Sequence, residues 1–293
     1  SVGPFMGDGQ NRPNVDSRMD VFGRAFIHPF ANAGFVKKDD PLRDLQIGGS
    51  FHYGSRDKRW VDYDYNTFTT QGAYTFWSPT YSGSNGTTHI IPAGDQAAYA
   101  GELRVPIDRF DVTSEVVYIH NGTREAIEGY QSTNSERFGT MKGASYYVQL
   151  GYWPVGKRDI NGAPGYENPP HVDFSRLDPP HAAQAVQLLA KWEQMSLTYS
   201  SASRAGTPDA KNIDGDIKMN ALSFGINYWA TKHVRISLNY VFDYFPSSAA
   251  GKEQVPDNRA LAPGNTLPLG AEHGAREGAH TLNELLARFA IAL

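Results

Sequence analysis

The stretch Met219 to Phe245 constrains this chain most, because it alternates with a period of two on both sides of a very short connection. Leu222, Phe224, Ile226 and Tyr228 alternate with Ala221, Ser223, Gly225 and Asn227. Val234, Ile236, Leu238, Tyr240, Phe242 and Tyr244 then alternate with Arg235, Ser237, Asn239 and Asp243. Successive side chains of an extended chain point to opposite faces, so each segment sets one face in an apolar medium and the other against polar groups or water. The link Ala230-Thr231-Lys232-His233 leaves room only for an antiparallel hairpin. Two media are open to the apolar face. One is the core of a soluble sandwich or lipocalin-like barrel; the other is lipid around an outer-membrane barrel whose polar faces line a lumen. Tyr228, Trp229, Tyr240, Phe242 and Tyr244 gather near the strand ends, as an interfacial girdle would, although sandwich edge strands are aromatic too.

A chain of 293 residues with 29 Gly, 18 Pro and 12% aromatic residues suits one large all-β domain, taken here as residues 1–293. No apolar run reaches the length of a membrane helix and mean hydropathy is -0.48, which excludes a helical membrane protein. A barrel is not excluded, since half of each strand and all of its long loops are polar. The absence of cysteine removes disulfides, thiolate catalysis and cysteine zinc sites. A net charge of -4 offers no bulk attraction for nucleic acid. No leader is visible at Ser1, so the chain is expected either to be mature or to begin part-way through a longer product.

Alternation recurs along the chain. A short strand is expected over Ser1 to Gln10 and another over Asp20 to Phe30. A third sets Leu45, Ile47, Phe51 and Tyr53 against Gln46, Gly48, Ser50 and His52. A strand is expected around Thr67 to Phe76, followed by a loop to Gly94. A second tight hairpin joins Asp95–Pro106 to Arg109–His120, and a polar loop of roughly twenty residues follows it. Ala144 to Tyr152 alternates again; Gly156 to Pro180 shows no period; Ala183 to Ser200 reads as a strand despite its helix-like Ala-Val-Gln-Leu-Leu-Ala-Lys-Trp. A Gly/Ala/Pro-rich loop fills Ser247 to Ala279, and Ala287, Phe289, Ile291 and Leu293 alternate to the carboxyl terminus, as in the last strand of an outer-membrane barrel.

These residues resemble the phosphate-selective porins O and P over most of the chain. Gly143 to Tyr152, leading to Val155-Gly156-Lys157-Arg158, is similar to a strand and turn of that family. Val186 to Trp192 resembles another of its strands, and the pair Leu222–Trp229 and His233–Tyr240 is the most specific likeness. Gly23-Arg24 with His28-Pro29, and Gly101-Glu102-Leu103 with Glu115, resemble its upstream strands. The resemblance implies a transmembrane antiparallel up-and-down β-barrel of about sixteen strands in the bacterial outer membrane. It also implies a homotrimer among outer-membrane lipid and lipopolysaccharide, passing small anions or other solutes such as phosphate through a basic constriction. About eleven or twelve strands are readable here, so the first strands of the family barrel are expected to be missing, or the barrel to be smaller. The positions of the short turns suggest a further strand within Gly156 to Pro180.

If the polar faces line a lumen, the basic residues Arg24, Arg104, Lys191, Arg235 and Arg288 project into it and raise the local anion concentration. Asp20, Glu102, Glu115, Glu193 and Asp243 share those faces, and the alternative is that the charges pair and brace the wall. No cofactor or metal site is expected: Asp209 to Asp216 is acidic but lacks the calcium-hand spacing, and the nine His are scattered. Asn85-Gly-Thr87 and Asn121-Gly-Thr123 match a glycosylation pattern, with turn-forming Asn-Gly the simpler account. Ser114 and His120 share a strand face but stand roughly 20 Å apart when extended, which argues against a hydrolase. The competing class is a structural barrel plugged by its own loops, with Ser247 to Ala279 the expected plug, or by a partner protein.

Overall fold

The structure, a computed structural model, describes residues 1–6, 18–37, 40–57, 63–83, 86–107, 109–127, 137–155, 185–203, 213–231, 234–246 and 281–291. Its strands are β1 (Val2–Met6), β2 (Met19–Ile27), β3 (Gln46–Arg56), β4 (Phe68–Thr69), β5 (Thr75–Trp77), β6 (Thr80–Gly83), β7 (Gly86–Ile107), β8 (Phe110–Ile127), β9 (Arg137–Val155), β10 (Ala185–Ser203), β11 (Ile213–Thr231), β12 (Val234–Tyr244) and β13 (Thr281–Ile291). Ten of them pair in the order β1-β2-β3-β7-β8-β9-β10-β11-β12-β13, every neighbour antiparallel, with β6 folded onto β7. β4 and β5 form a separate two-stranded piece. The all-β, up-and-down reading therefore holds. The sheet is not closed, because β1 and β13 are its two edges and do not pair with each other.

The short turns set the register. Trp229 faces Arg235 and Leu222 faces Phe242 across β11 and β12, so the apolar residues of both strands share one face. On that face Leu222, Phe224 and Ile226 are 41%, 51% and 49% exposed, whereas Ser223 on the other face is 8% exposed. The rule inverts that of a soluble sandwich, whose apolar face is the covered one. Ile47, Phe51 and Tyr53 of β3, Val148 and Leu150 of β9, Leu188 and Trp192 of β10, and Leu285 and Phe289 of β13 are likewise exposed.

Several boundaries move. The segment read as a loop up to Gly94 belongs in part to β7, which starts at Gly86 and passes an irregularity between Pro92 and Gln96. β8 runs to Ile127, well past His120, because residues 121–125 keep pairing with β9. Asn121-Gly122 consequently lies within a strand and not in a turn; the Asn121 side chain accepts from Ala97 N at 3.1 Å. The last strand begins at Thr281, ahead of Ala287, and Asp214 and Asp216 of the acidic stretch lie in β11. Gly156 to Pro180 and the expected plug at 247–279 fall outside the described residues, as does Asn85; β9 and β10 pair directly.

Candidate functional site: the inner face and the hairpin docked on it

Residues 63–80 leave the sheet after β3 and lie on its inner face. Both roots of this excursion are stitched to β7: Tyr65 N donates to Ile90 O at 2.7 Å and Ile90 N to Pro79 O at 2.8 Å. Asp64 Oδ1 lies 2.9 Å from His89 Nδ1, and the Thr80 hydroxyl donates to Asp64 Oδ2 at 2.9 Å. Between the roots, β4 and β5 make a hairpin around Thr70 to Tyr74, closed by Thr70 N to Tyr74 O at 2.9 Å and Ala73 N to Thr70 O at 3.1 Å. Tyr65 packs edge-on against Phe68 and Trp77, Phe68 stacks on Phe76 and lies tilted on Trp77, and Phe76 meets Phe245 at the end of β12 with ring centroids 5.5 Å apart. Ile90, Met141, Leu197, Tyr199, Ile217, Met219, Ala221 and Val241 complete this buried cluster from five strands. Asn121 of β8 donates to the Tyr65 hydroxyl at 2.6 Å while Glu284 of β13 holds Thr70. Those two strands are five places apart in the sheet order, so the hairpin reaches across most of the inner face, and its ring cluster draws on β7, β9, β10, β11 and β12. Burial pushes the Tyr65 hydroxyl above its ordinary range, against a smaller lowering by the Asn121 hydrogen bond.

The hairpin tip sits on carboxylates. The Thr70 hydroxyl donates to Glu284 Oε1 and Gly72 N to Glu284 Oε2 at 2.8 Å. Gln71 Nε2 donates to Glu193 Oε2 at 3.3 Å. Glu193 and Asp243 both stand opposite Ala221, one on each side, so only a methyl group separates them in that row. Asp243 is 1% exposed, and neither carboxyl oxygen has a hydrogen-bond partner. Among the described residues no three His, Asp or Glu are grouped as a metal ion requires.

The expected basic lining is mostly paired. Arg24 grips Glu102 with both nitrogens, at 3.0 and 2.8 Å, with Glu115 in electrostatic reach. Asp20 accepts two hydrogen bonds from Arg56 at 2.7 Å and one contact from His52 at 2.8 Å. Arg104 is buried between Gln46 and Thr113 in register and has partners of its own. Lys191 pairs with Glu193 and lies 5.6 Å from the Tyr147 ring centre. Arg235 and Arg288 differ. Arg235 stacks over Trp229 at 5.8 Å; Trp229 stacks on Trp153 at 5.2 Å; and Trp153 Nε1 donates to Asp111 at 2.9 Å. Arg288 is exposed on β13 opposite Ser237, and neither arginine meets a carboxylate among the described residues. Both lie toward the end of the sheet that carries the two short turns.

No family model, no curated protein and no solved structure matches this chain. Sequence reasoning missed the docked hairpin, Glu284 and Arg56. The signal available for the hairpin was its aromatic run without a period, Tyr65, Phe68, Tyr74, Phe76 and Trp77, since a segment that neither alternates nor turns polar must bury its rings somewhere.

Proposed function

We propose that the chain is an outer-membrane β-barrel through which small hydrophilic solutes diffuse passively, with the hairpin of residues 63–80 narrowing the bore. The outward face carries the reading: strand after strand exposes Val, Leu, Ile, Phe, Tyr and Trp at alternate positions, and no second layer of described residues covers them. In water a soluble fold hides such a face under another layer. In lipid it is the required exterior, and the polar inner face becomes the wall of an aqueous bore. Closure of the sheet, through its own edges or with further strands, satisfies the edge backbone groups that hydrocarbon does not tolerate. The resemblance to the phosphate-selective porins points the same way and adds trimeric assembly.

Selectivity in this reading is modest. Arg24, Arg104 and Lys191 spend their charge in the wall, which leaves Arg235 and Arg288 to attract anions near the short-turn mouth. The test is the reversal potential of purified protein in a planar bilayer under a salt gradient. A weak anion preference that falls in Arg235→Ala and Arg288→Ala is the expected result; folded protein that never conducts removes the diffusion reading. The second reading, a plugged structural barrel, draws on the tight docking of the hairpin. It requires a silent wild type that conducts once residues 68–77 are replaced by a short Gly/Ser link.

A further inference from the structure

Among the described residues, Glu284 under the hairpin tip is served by neutral donors alone, Glu193 by one neutral donor and by Lys191, and Asp243 by none. Thr70 offers a hydroxyl, Gly72 a backbone N–H and Gln71 an amide, the last at 3.3 Å. The nearby cation is Lys191, which is held by Glu193. Asp243 receives nothing, although it is buried, with Glu284 and Glu193 both within electrostatic reach. A buried carboxyl in that position is short of a positive partner. Hydrogen bonds from a charged donor are about twice as strong as those from a neutral one, so a cation that reached this wall would outcompete the tip. The partner is not a single metal ion, because the acidic groups are not close enough together. A guanidinium with five donors spread over a plane, or two ammonium groups on one chain, bridges carboxyls that one metal ion cannot.

We propose that Asp243, Glu193 and Glu284 form a recognition site for a solute carrying a guanidinium group or two primary ammonium groups, and that its arrival displaces the hairpin tip. The proposal rests on the inner face being reached by solutes, as in the diffusion reading. The neutral tip then acts as a stand-in for the cation: it covers the acidic wall when no such solute is present and yields when one is. Ala221 makes room for the solute between Glu193 and Asp243, and Gly72 makes room for the Glu284 carboxylate against the tip.

The wild-type chain has no cysteine, so Gln71→Cys places a single thiol at the tip. Its rate of labelling by a water-soluble maleimide, in detergent-solubilised full-length protein, reports tip exposure without any need for conductance. Putrescine, 1,4-butanediol and succinate share a four-carbon chain and differ in charge. At matched ionic strength putrescine is expected to raise the rate about tenfold, with the diol and the diacid inert. In the combined Asp243→Asn, Glu193→Gln background, where both groups still fill their places, the putrescine effect is expected to vanish. Equal rates with putrescine and the diol, or an undiminished putrescine effect in that background, would overturn the proposal. Because the assay uses no current, a protein that never conducts loses the diffusion reading alone.

Discussion

At Gly72 a single missing atom holds the hairpin in place. A Cβ there would lie 2.6 Å from the Glu284 carboxyl carbon, so Gly72→Ala is expected to push that carboxyl aside, weaken the hold of β13 on the tip and enlarge the conductance step while the sheet still forms. Ala73, next along, has φ 70, a left-handed conformation that costs a residue with a side chain about 1 kcal/mol. Ala73→Gly should therefore leave docking intact or tighten it, and slower labelling of the tip cysteine is the outcome to look for. Asp20 and Arg56 show the opposite economy, two buried charges that exist only because they are together. Arg56→Met strands the Asp20 carboxylate beside His52, with a loss of about 3 kcal/mol in urea unfolding, and pairing it with Asp20→Asn should recover most of the loss. Tyr65 supplies a pH test. Its folded-state hydroxyl is raised above the ordinary 10 by burial, so docking strength is complete below pH 10 and is lost as pH climbs through the folded value. Tyr65→Phe should remove that alkaline loss in a Trp fluorescence titration.

At the scale of elements, β11 and β12 were legible residue by residue, because alternation is a local property and the short link admits only one pairing. The same pattern identified β10 as a strand against its helix-like composition. The inner hairpin was not legible: β4 and β5 are two and three residues long, too short for any period to register. The strand ends were also misjudged, since β7, β8 and β13 extend through residues whose alternation is broken by Gly, Pro or Asn and whose pairing is kept by the neighbouring strand. The apolar face of β11 gives the test that belongs here. Ile226→Arg, on the outward side, should cost about 2–4 kcal/mol in lipid vesicles if that face meets hydrocarbon. A cost within about 0.5 kcal/mol would mean the face meets water, as surface substitutions usually do.

For the whole molecule, the inner face divides into three regions. Arg–carboxylate pairs, one buried and one half-buried, brace β2, β3 and β7; carboxylates under the hairpin tip occupy β10, β12 and β13; and Arg235, Trp229 and Trp153 line up near the short turns. In the proposed barrel, solute entering from the short-turn end would meet positive charge first and the acidic wall beyond it. Sequence parity named basic candidates on one face of the strands, yet parity says nothing about partners. Arg24 and Glu102 are 78 positions apart, and only the β2-β3-β7 order brings them together.

The amino-acid sequence alone determined that the chain makes long antiparallel strands, which face of each is apolar, and where the tight turns fall. Side-chain periodicity and turn length are carried by neighbours in the chain. The tertiary structure decided which charges neutralise one another, and that residues 63–80 turn inward to rest on Glu284. Gly72 and Glu284 are separated by 212 positions, and their contact exists only once the sheet has formed and the hairpin lies on it. A short aromatic segment finds its place on whatever surface is then within reach, and no local pattern encodes that surface.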